Sequence, residues 1–197
     1  MPVRTPLDRE AVVRAAADLA DEQGLEAVTL GAVATRLGIR PPSLYNHVAG
    51  LSGLRDSLAL LATRQLGTCL ARVAVGKAAD DAVLALGRAY RAYAHEHPGL
   101  VAAMMRAPRP DDTVWLDASR SVVDTVLAVL DAYDLGEEEA LHAVRGLRSL
   151  VHGFAVLERA GGFGLPLDLD VSFEYLLRLF THGLRAAHAQ TPSVVPS

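Results

Sequence analysis

The chain has 197 residues, of which 51% are hydrophobic and 21% are charged. This balance is typical of a globular protein with a sizeable core, and it excludes an intrinsically disordered chain. Nineteen basic residues face 23 acidic ones, giving a formal net charge of −4. That charge argues against a protein that coats nucleic acid non-specifically, and against one held at a membrane by a polybasic segment.

The composition favours helices. The 33 alanines and 31 leucines supply about a third of the residues, and both types lose little conformational freedom in a helix. A single cysteine, Cys69, excludes an internal disulfide and a multi-cysteine zinc site. No apolar run is long enough for a membrane span, and charges interrupt the N-terminus where a secretion signal would be apolar. We therefore expect an all-α protein in the cytoplasm, with no membrane partner.

Helical periodicity and cap residues predict nine helices. The first covers about residues 8–23, with Asp8 as its N-cap and Gly24 at its end. The second follows Thr29 and ends at Gly38. The others are expected at about residues 43–48, 51–75, 80–97, 100–106, 113–133, 137–161 and 172–188. No segment alternates as a strand would, and the tail from Gln190 is predicted to be disordered.

The second and third helices form a predicted helix-turn-helix, joined by a turn at residues 38–41. Leu44 and Val48 are expected to pack inward. This arrangement leaves four polar side chains facing outward, those of Ser43, Tyr45, Asn46 and His47. Such side chains suit a helix that faces phosphates and bases. In an alternative interpretation, Tyr45 and His47 instead cap the core.

Roughly residues 8–58 resemble the DNA-binding domain of the tetracycline-repressor (TetR) family. The similarity rests on Val28-Thr29-Leu30, Val33-Ala34, Leu37-Gly38-Ile39 and Leu44-Tyr45-Asn46-His47-Val48. A second similarity, at His97-Pro98-Gly99-Leu100 and Val151-His152-Gly153-Phe154, is to a subgroup with a Trp-His-Gly motif, although Val151 replaces the tryptophan. The resemblance implies a homodimeric repressor or activator, here expected to be a repressor, that binds a palindromic operator and leaves it when a small ligand binds.

The resemblance implies a DNA-binding domain over residues 1–50 and a ligand-binding and dimerisation domain over residues 51–197. Ser43 and Asn46 are the expected base contacts, since asparagine can bond to adenine in the major groove. The two prolines could touch a thymine methyl group or could simply start the helix. The expected DNA-binding residues are Arg4, Thr29, Arg40, Pro41, Pro42, Ser43, Tyr45, Asn46 and His47.

Two positions depart from the family pattern. Residues 49–51 are Ala-Gly-Leu where a basic residue often binds phosphate, and Gly31 stands where a long polar contact is common. Residues 1–50 hold five arginines and six acidic residues. We therefore expect modest DNA affinity and a shallow salt dependence, because each neutralised phosphate adds about 0.9 to the slope.

The downstream domain is expected to bind a small, mostly apolar effector. Met104 and Met105 beside Trp115 favour such a ligand, because methionine adapts to irregular shapes. Arg148 would either pair with an anionic group or face water at the rim of a dimer. Each of these residues could instead be ordinary core. The expected lining is Tyr90, Tyr93, His97, Met104, Met105, Trp115, Arg148 and His152.

The resemblance also implies a dimer interface on the last two long helices, residues 137–161 and 172–188. Both helices carry strong apolar faces, as a four-helix interface between two copies would require. The interface residues expected on these faces are Leu147, Val151, Phe173, Leu177, Phe180 and Leu184.

A different class of function would make the chain a helical-bundle enzyme, or a small-molecule-binding protein that does not bind DNA. The sequence offers no carboxylate pair, Ser-His arrangement or metal-ligand spacing for catalysis. His95 and His97 are two residues apart, so on a helix they point in different directions. We therefore expect no enzyme activity, no metal and no cofactor.

Overall fold

The computed structural model describes residues 7–188, and no strand occurs among them. The eight α-helices are α1 (Arg9–Gln23), α2 (Leu30–Leu37), α3 (Gly50–Ala74), α4 (Ala79–Glu96), α5 (Pro98–Ala103), α6 (Thr113–Leu130), α7 (Glu137–Arg159) and α8 (Leu169–His188). Short 3-10 helices occupy Leu25–Ala27, Pro41–Asn46 and Asp131–Tyr133. The expected all-α fold is confirmed. None of the helices in this range is both long and apolar enough to cross a membrane.

Two helices differ from their predicted form. The helix expected at residues 43–48 is a 3-10 helix at Pro41–Asn46, because Pro41 and Pro42 occupy its first positions, where no backbone donor is needed. We call this segment the recognition helix. The last helix begins at Leu169 instead of residue 172, because the Asp168 carboxylate accepts bonds from the amides of Asp170 at 2.8 Å and Val171 at 3.2 Å.

The described residues pack as two compact units. The first contains residues 7–65 and 96–119, and the second contains residues 66–95 and 120–188. This division differs from the functional boundary expected after residue 50, because packing assigns the first part of α3 to the unit that holds α1 and α2. The functional boundary itself remains a prediction.

The first unit is built around α1, which contacts both α2 and α5. The amide of Ala11 donates to the Asp8 carboxylate at 2.8 Å, so the predicted N-cap forms. The face of α1 that packs on its neighbours is dominated by small side chains, so other helices can approach its backbone closely. Its buried residues are Val12, Ala15, Ala16, Ala17, Leu19 and Ala20.

The second unit packs α4 against α8 and α7 against α8. Phe173 and Leu177 of α8 are fully buried. A Cβ atom built on Gly87 of α4 would lie 2.6 Å from the Leu177 side chain, so a larger residue there would require this leucine to shift. At the start of α4, the Tyr133 hydroxyl donates to Asp80 at 2.7 Å, and Arg185 of α8 lies 3.0 Å from the same carboxylate.

A second polar cluster joins α4 to α7 and α8. Arg91 donates to Glu158 at 2.5 and 2.8 Å and to Asp170 at 2.8 Å. Its guanidinium also lies over the ring of Phe173, 4.9 Å from the centroid, where cation–π attraction adds to the ion pairs. Hydrogen bonds from Arg91 hold the pKa of Glu158 at about 2, against the opposing effect of burial, and a bond with His95 lowers it further.

Glu158→Gln should reduce the loss of stability that acid causes. A carboxylate with a depressed pKa stabilises the fold above its unfolded pKa of 4.5, and this contribution disappears as pH falls toward 2. Between pH 5 and pH 3 the wild type should lose about 2 kcal/mol of unfolding free energy through Glu158 alone. Urea titrations at several pH values would measure this difference.

The matched control is Glu137→Gln, which removes an exposed carboxylate from the same helix. It should keep the acid sensitivity of the wild type. Equal acid sensitivity in Glu158→Gln and wild type would mean that the cluster does not contribute to stability in this pH range.

Candidate nucleic-acid interface and effector region

Local interactions fix the two helices of the helix-turn-helix. The Ala32 amide donates to the Thr29 hydroxyl oxygen at 3.1 Å, which caps the start of α2. Gly38 ends α2 in the left-handed conformation with φ 66°, which glycine adopts without a steric penalty. Ser43 then donates its amide to the Arg40 carbonyl at 3.0 Å and so closes the first turn of the recognition helix.

The recognition helix has one buried side and one exposed side. Leu44 is 0% exposed and Val48 is 6% exposed, whereas Tyr45 is 64% exposed. Asn46 is also exposed, and His47 is half-buried at the end of the helix. Because Leu44 and the following Val48 pack on the inner side, the tyrosine and the amide lie on the side that faces solvent.

Most of the expected DNA-binding residues are exposed to solvent. Thr29, Arg40, Pro41, Pro42, Tyr45 and Asn46 are exposed, and Ser43 and His47 are half-buried. Thr29 accepts a bond at its helix cap, yet its hydroxyl proton remains able to donate to a phosphate. Arg4 and the tail from Gln190 lie outside the described residues.

Some arginines of this region are already paired with carboxylates, which leaves fewer of them available to bind DNA phosphates. Arg36 makes a bidentate salt bridge with Glu22, with both N–O distances 2.7 Å. Arg14 pairs with Glu10 on α1. Arg40, in contrast, has no ion-pair partner within residues 7–188. The exposed positive charge next to the recognition helix is therefore that of Arg40.

The net charge of residues 1–50 conceals a local pattern of charge along the chain. Residues 27–55 contain three arginines and no acidic residue. The acidic residues of the domain lie before this stretch, mostly on α1. A charge count over a sliding window, in place of one over the whole domain, would have identified the positive segment.

In the second unit, two of the expected effector residues meet. The Tyr90 hydroxyl lies 3.1 Å from Nδ1 of His152, and the two rings pack edge to face. Burial raises the pKa of Tyr90 to about 12. Burial also lowers the pKa of His152, and the Arg148 charge lowers it further. His152 is therefore neutral at pH 7, and its Nδ1 can accept a hydrogen bond from the Tyr90 hydroxyl, which keeps its proton.

The other expected effector residues differ in burial. In the second unit Tyr93 is buried and Arg148 is exposed. In the first unit Met104 and Trp115 are buried, Met105 is exposed and His97 is half-buried. The Trp115 indole donates to the Thr63 hydroxyl at 3.0 Å, and His97 lies 2.8 Å from the Asp21 carboxylate, so both have polar partners within the protein.

Sequence-profile comparison decides the family. "Bacterial regulatory proteins, tetR family" matches residues 12–48, and "Tetracyclin repressor-like, C-terminal domain" matches residues 83–180. The HTH-type transcriptional regulator Rv0681 of Mycobacterium tuberculosis is 39% identical over 190 residues, covering 95% of this chain and 87% of that protein. The chain belongs to the TetR family.

Further comparisons agree with this membership. The HTH-type transcriptional regulator YobS of Bacillus subtilis is 35% identical, with 93% of this chain and 96% of that protein covered. The crystal structure of a TetR variant from Acinetobacter baumannii, in complex with minocycline, has the same fold. It superposes with a TM-score of 0.73 at 21% identity, covering 92% of this chain and 98% of that one.

This TetR-family protein is thus a DNA-binding transcriptional regulator, and the alternative of a helical-bundle enzyme is wrong. The profile that matches the C-terminal region does not name the subgroup with the Trp-His-Gly motif. That finer resemblance remains a prediction. Within residues 7–188, no group of three or more histidine, cysteine or acidic residues could hold a metal ion.

The residues expected at a dimer interface lie mostly inside the chain. Five of the six are buried and Phe180 is half-buried. The same two helices carry other apolar side chains that are exposed, including Val156 and Leu157 on α7 and Tyr175 and Leu179 on α8. The five expected interface residues that are buried are Leu147, Val151, Phe173, Leu177 and Leu184.

Two carboxylates with several partners were not predicted from the sequence. Asp21 accepts bonds from three groups around α5, and Glu158 binds both Arg91 and His95. His95 and His97 therefore contact different acids. Glu158 and His95 are 63 residues apart in the chain, and Asp21 and His97 are 76 residues apart. Local sequence spacing therefore could not predict either pair.

Proposed function

We propose that this TetR-family protein is a ligand-responsive repressor of the cytoplasm. It binds a palindromic operator as a homodimer and is released by a small, mostly apolar effector. The observation that carries this proposal is the recognition helix, where Leu44 is buried while Tyr45 and Asn46 are exposed beside Arg40, and where Val48 just after the helix is also buried. A rigid helix that presents such groups suits recognition of the major groove.

The proposed binding mode places two recognition helices, related by a two-fold axis, in successive major grooves about 34–36 Å apart. Asn46 and Ser43 would contact base edges, while Pro41 and Pro42 would meet a thymine methyl group. Thr29, Arg40, Tyr45 and His47 would contact phosphates, with Arg4 in the N-terminal arm. So few cationic contacts imply a shallow dependence of affinity on salt.

Selection from a pool of random duplexes should enrich a palindrome with the wild-type protein. Tyr45→Phe removes only the hydroxyl, and we expect about fivefold to tenfold weaker binding if that group contacts phosphate. Asn46→Ala should relax selection at one base pair of each half-site, where a good amide–adenine pair contributes about 1–3 kcal/mol. Fluorescence anisotropy with the selected duplex would measure both effects.

The control for folding is the melting temperature, because Tyr45 is exposed and its hydroxyl has no hydrogen-bond partner within residues 7–188. Both variants should melt within a few degrees of wild type. If no palindrome is enriched and Tyr45→Phe binds every duplex as the wild type does, the recognition helix is not the DNA-reading element.

We propose the outward faces of α7 and α8 as the homodimer interface. Val156, Leu157, Tyr175 and Leu179 expose apolar surface there, and exposed apolar side chains that form one patch are typical of a protein–protein interface. Glycines at 153 and 183 interrupt these helices, and an added Cβ at either one would meet nothing within 4 Å. A glycine inside a helix costs about 0.5–1 kcal/mol relative to alanine, which close approach of a second copy would explain.

Leu179→Asp should convert the dimer into a folded monomer, because it places a charge in the proposed apolar interface. Sedimentation velocity would give the mass, and circular dichroism would show that helix content is retained. Val75→Asp is the control, since Val75 is 77% exposed just after the end of α3 and lies outside the proposed interface. A Leu179→Asp protein that remains dimeric would place the interface elsewhere.

The effector is proposed to contact Tyr90, Tyr93 and His152, whose aromatic side chains are buried or half-buried. Met104, Met105, Trp115, His97 and Arg148 complete the proposed set. A mostly apolar lining with a few polar groups is typical of small-molecule sites. The similar Acinetobacter baumannii structure contains minocycline, which makes this compound a sensible first probe.

A panel of apolar compounds that includes minocycline should contain members that raise the melting temperature and also release the selected duplex. For a compound with a polar group, Tyr90→Phe should weaken both effects about fivefold, the size of one hydrogen bond. Val75→Ala, which changes an exposed side chain just after α3 and outside the proposed interface, should have no effect. A compound that binds tightly but leaves duplex affinity unchanged would contradict its role as an effector.

A further inference from the structure

One carboxylate holds the corner between α4 and α5 against α1. His97 is the only residue between the end of α4 at Glu96 and the start of α5 at Pro98. Asp21, in the last turn of α1, accepts the amides of Gly99 at 2.9 Å and Leu100 at 3.1 Å through Oδ1. Its Oδ2 lies 2.8 Å from Nδ1 of His97.

The backbones at this corner are also in direct contact. A Cβ atom built on Gly99 would lie 2.1 Å from the carbonyl carbon and oxygen of Ala20, so only glycine fits. The Ala20 carbonyl in turn accepts the Gly24 amide at 2.8 Å, which ends α1. The first turn of α5 therefore rests on the last turn of α1, with no side chain between them.

The three bonds make Asp21 more than a surface acid. Its side chain is 17% exposed, and it satisfies two backbone donors that the first turn of α5 leaves without helical partners. Hydrogen bonds between a carboxylate and backbone amides or an imidazole are strong and directional. Residues 97–100 cannot shift from α1 unless these bonds break or α1 moves with them.

We infer that Asp21 is the positioning residue that couples the α4–α5 corner to the DNA-binding helices. α1 contacts α2, which leads into the recognition helix, so a displacement of α1 changes how that helix is presented. α4 carries Tyr90 and Tyr93 of the proposed effector set and continues through His97 into the corner. This inference rests on the proposed ligand response, and by linkage the coupling also runs from DNA to α4.

The test uses the full-length dimer and the duplex that the wild type selects. Hydrogen exchange of α4 peptides is measured by mass spectrometry with and without saturating duplex. In the wild type, duplex should slow exchange near the end of α4 at least fivefold. Asp21→Asn keeps one oxygen for the two amides but loses the charge, and should reduce the slowing to less than twofold. Asp21→Ala should abolish it.

The matched control is Asp18→Asn, one turn earlier on α1. It removes the same charge, and Asp18 pairs with Arg36 at 3.9 Å, away from α5. It should respond to duplex as the wild type does. Comparing bound with free protein separates coupling from stability, because a purely structural loss raises exchange in both states and leaves their ratio unchanged.

Each outcome has a defined meaning. Fivefold slowing in both Asp21 variants at full saturation overturns the inference and leaves the proposed function intact. A wild type that binds duplex without any change in α4 does the same. A wild type that binds no duplex overturns the proposed function and the inference together. Loss of the response in both Asp21 variants, with Asp18→Asn unaffected, supports the inference.

Discussion

The close approach of other helices to α1 is the constraint on which the first unit depends. Four buried alanines on α1 leave room for α2 and α5 to approach its backbone. Gly99 of α5 has no Cβ atom, and one built there would lie 2.1 Å from the Ala20 carbonyl of α1. Larger side chains would move both neighbours outward. The alanine-rich composition therefore has a specific structural consequence, since it lets one short helix contact α2, which leads into the recognition helix, as well as α5.

Hydrogen-bonded carboxylates then fix what close packing brings together. Asp21 binds α5, Glu22 binds Arg36 of α2, and Glu158 binds Arg91 of α4. Each acid joins two helices, in contrast to a surface pair within one helix such as Arg14–Glu10. Because small apolar faces slide easily over one another, such directional contacts are needed to select one arrangement of the helices.

Local signals predicted the fold well, and contacts between distant residues account for what they missed. Asp8, Thr29 and Gly38 act within a few residues of their own positions, so their roles as caps could be read from the sequence. The pairing of Asp21 with His97 depends on the fold, so no spacing predicted it. On α8, Leu177 and Leu179 are the same residue type two positions apart, and packing on α4 decides that Leu177 is buried while Leu179 is 48% exposed.

The same partition explains how an acidic regulator can approach DNA. The acids of α1 are largely engaged by arginine, histidine or backbone partners, whereas residues 27–55 contain no acid at all. Charges separated by more than about 8 Å are strongly screened at physiological salt. A phosphate beside the recognition helix therefore senses Arg40 and the local dipoles more than the net charge of the chain. Local placement of a few groups, and not the total charge, would set the electrostatics of the proposed DNA interface.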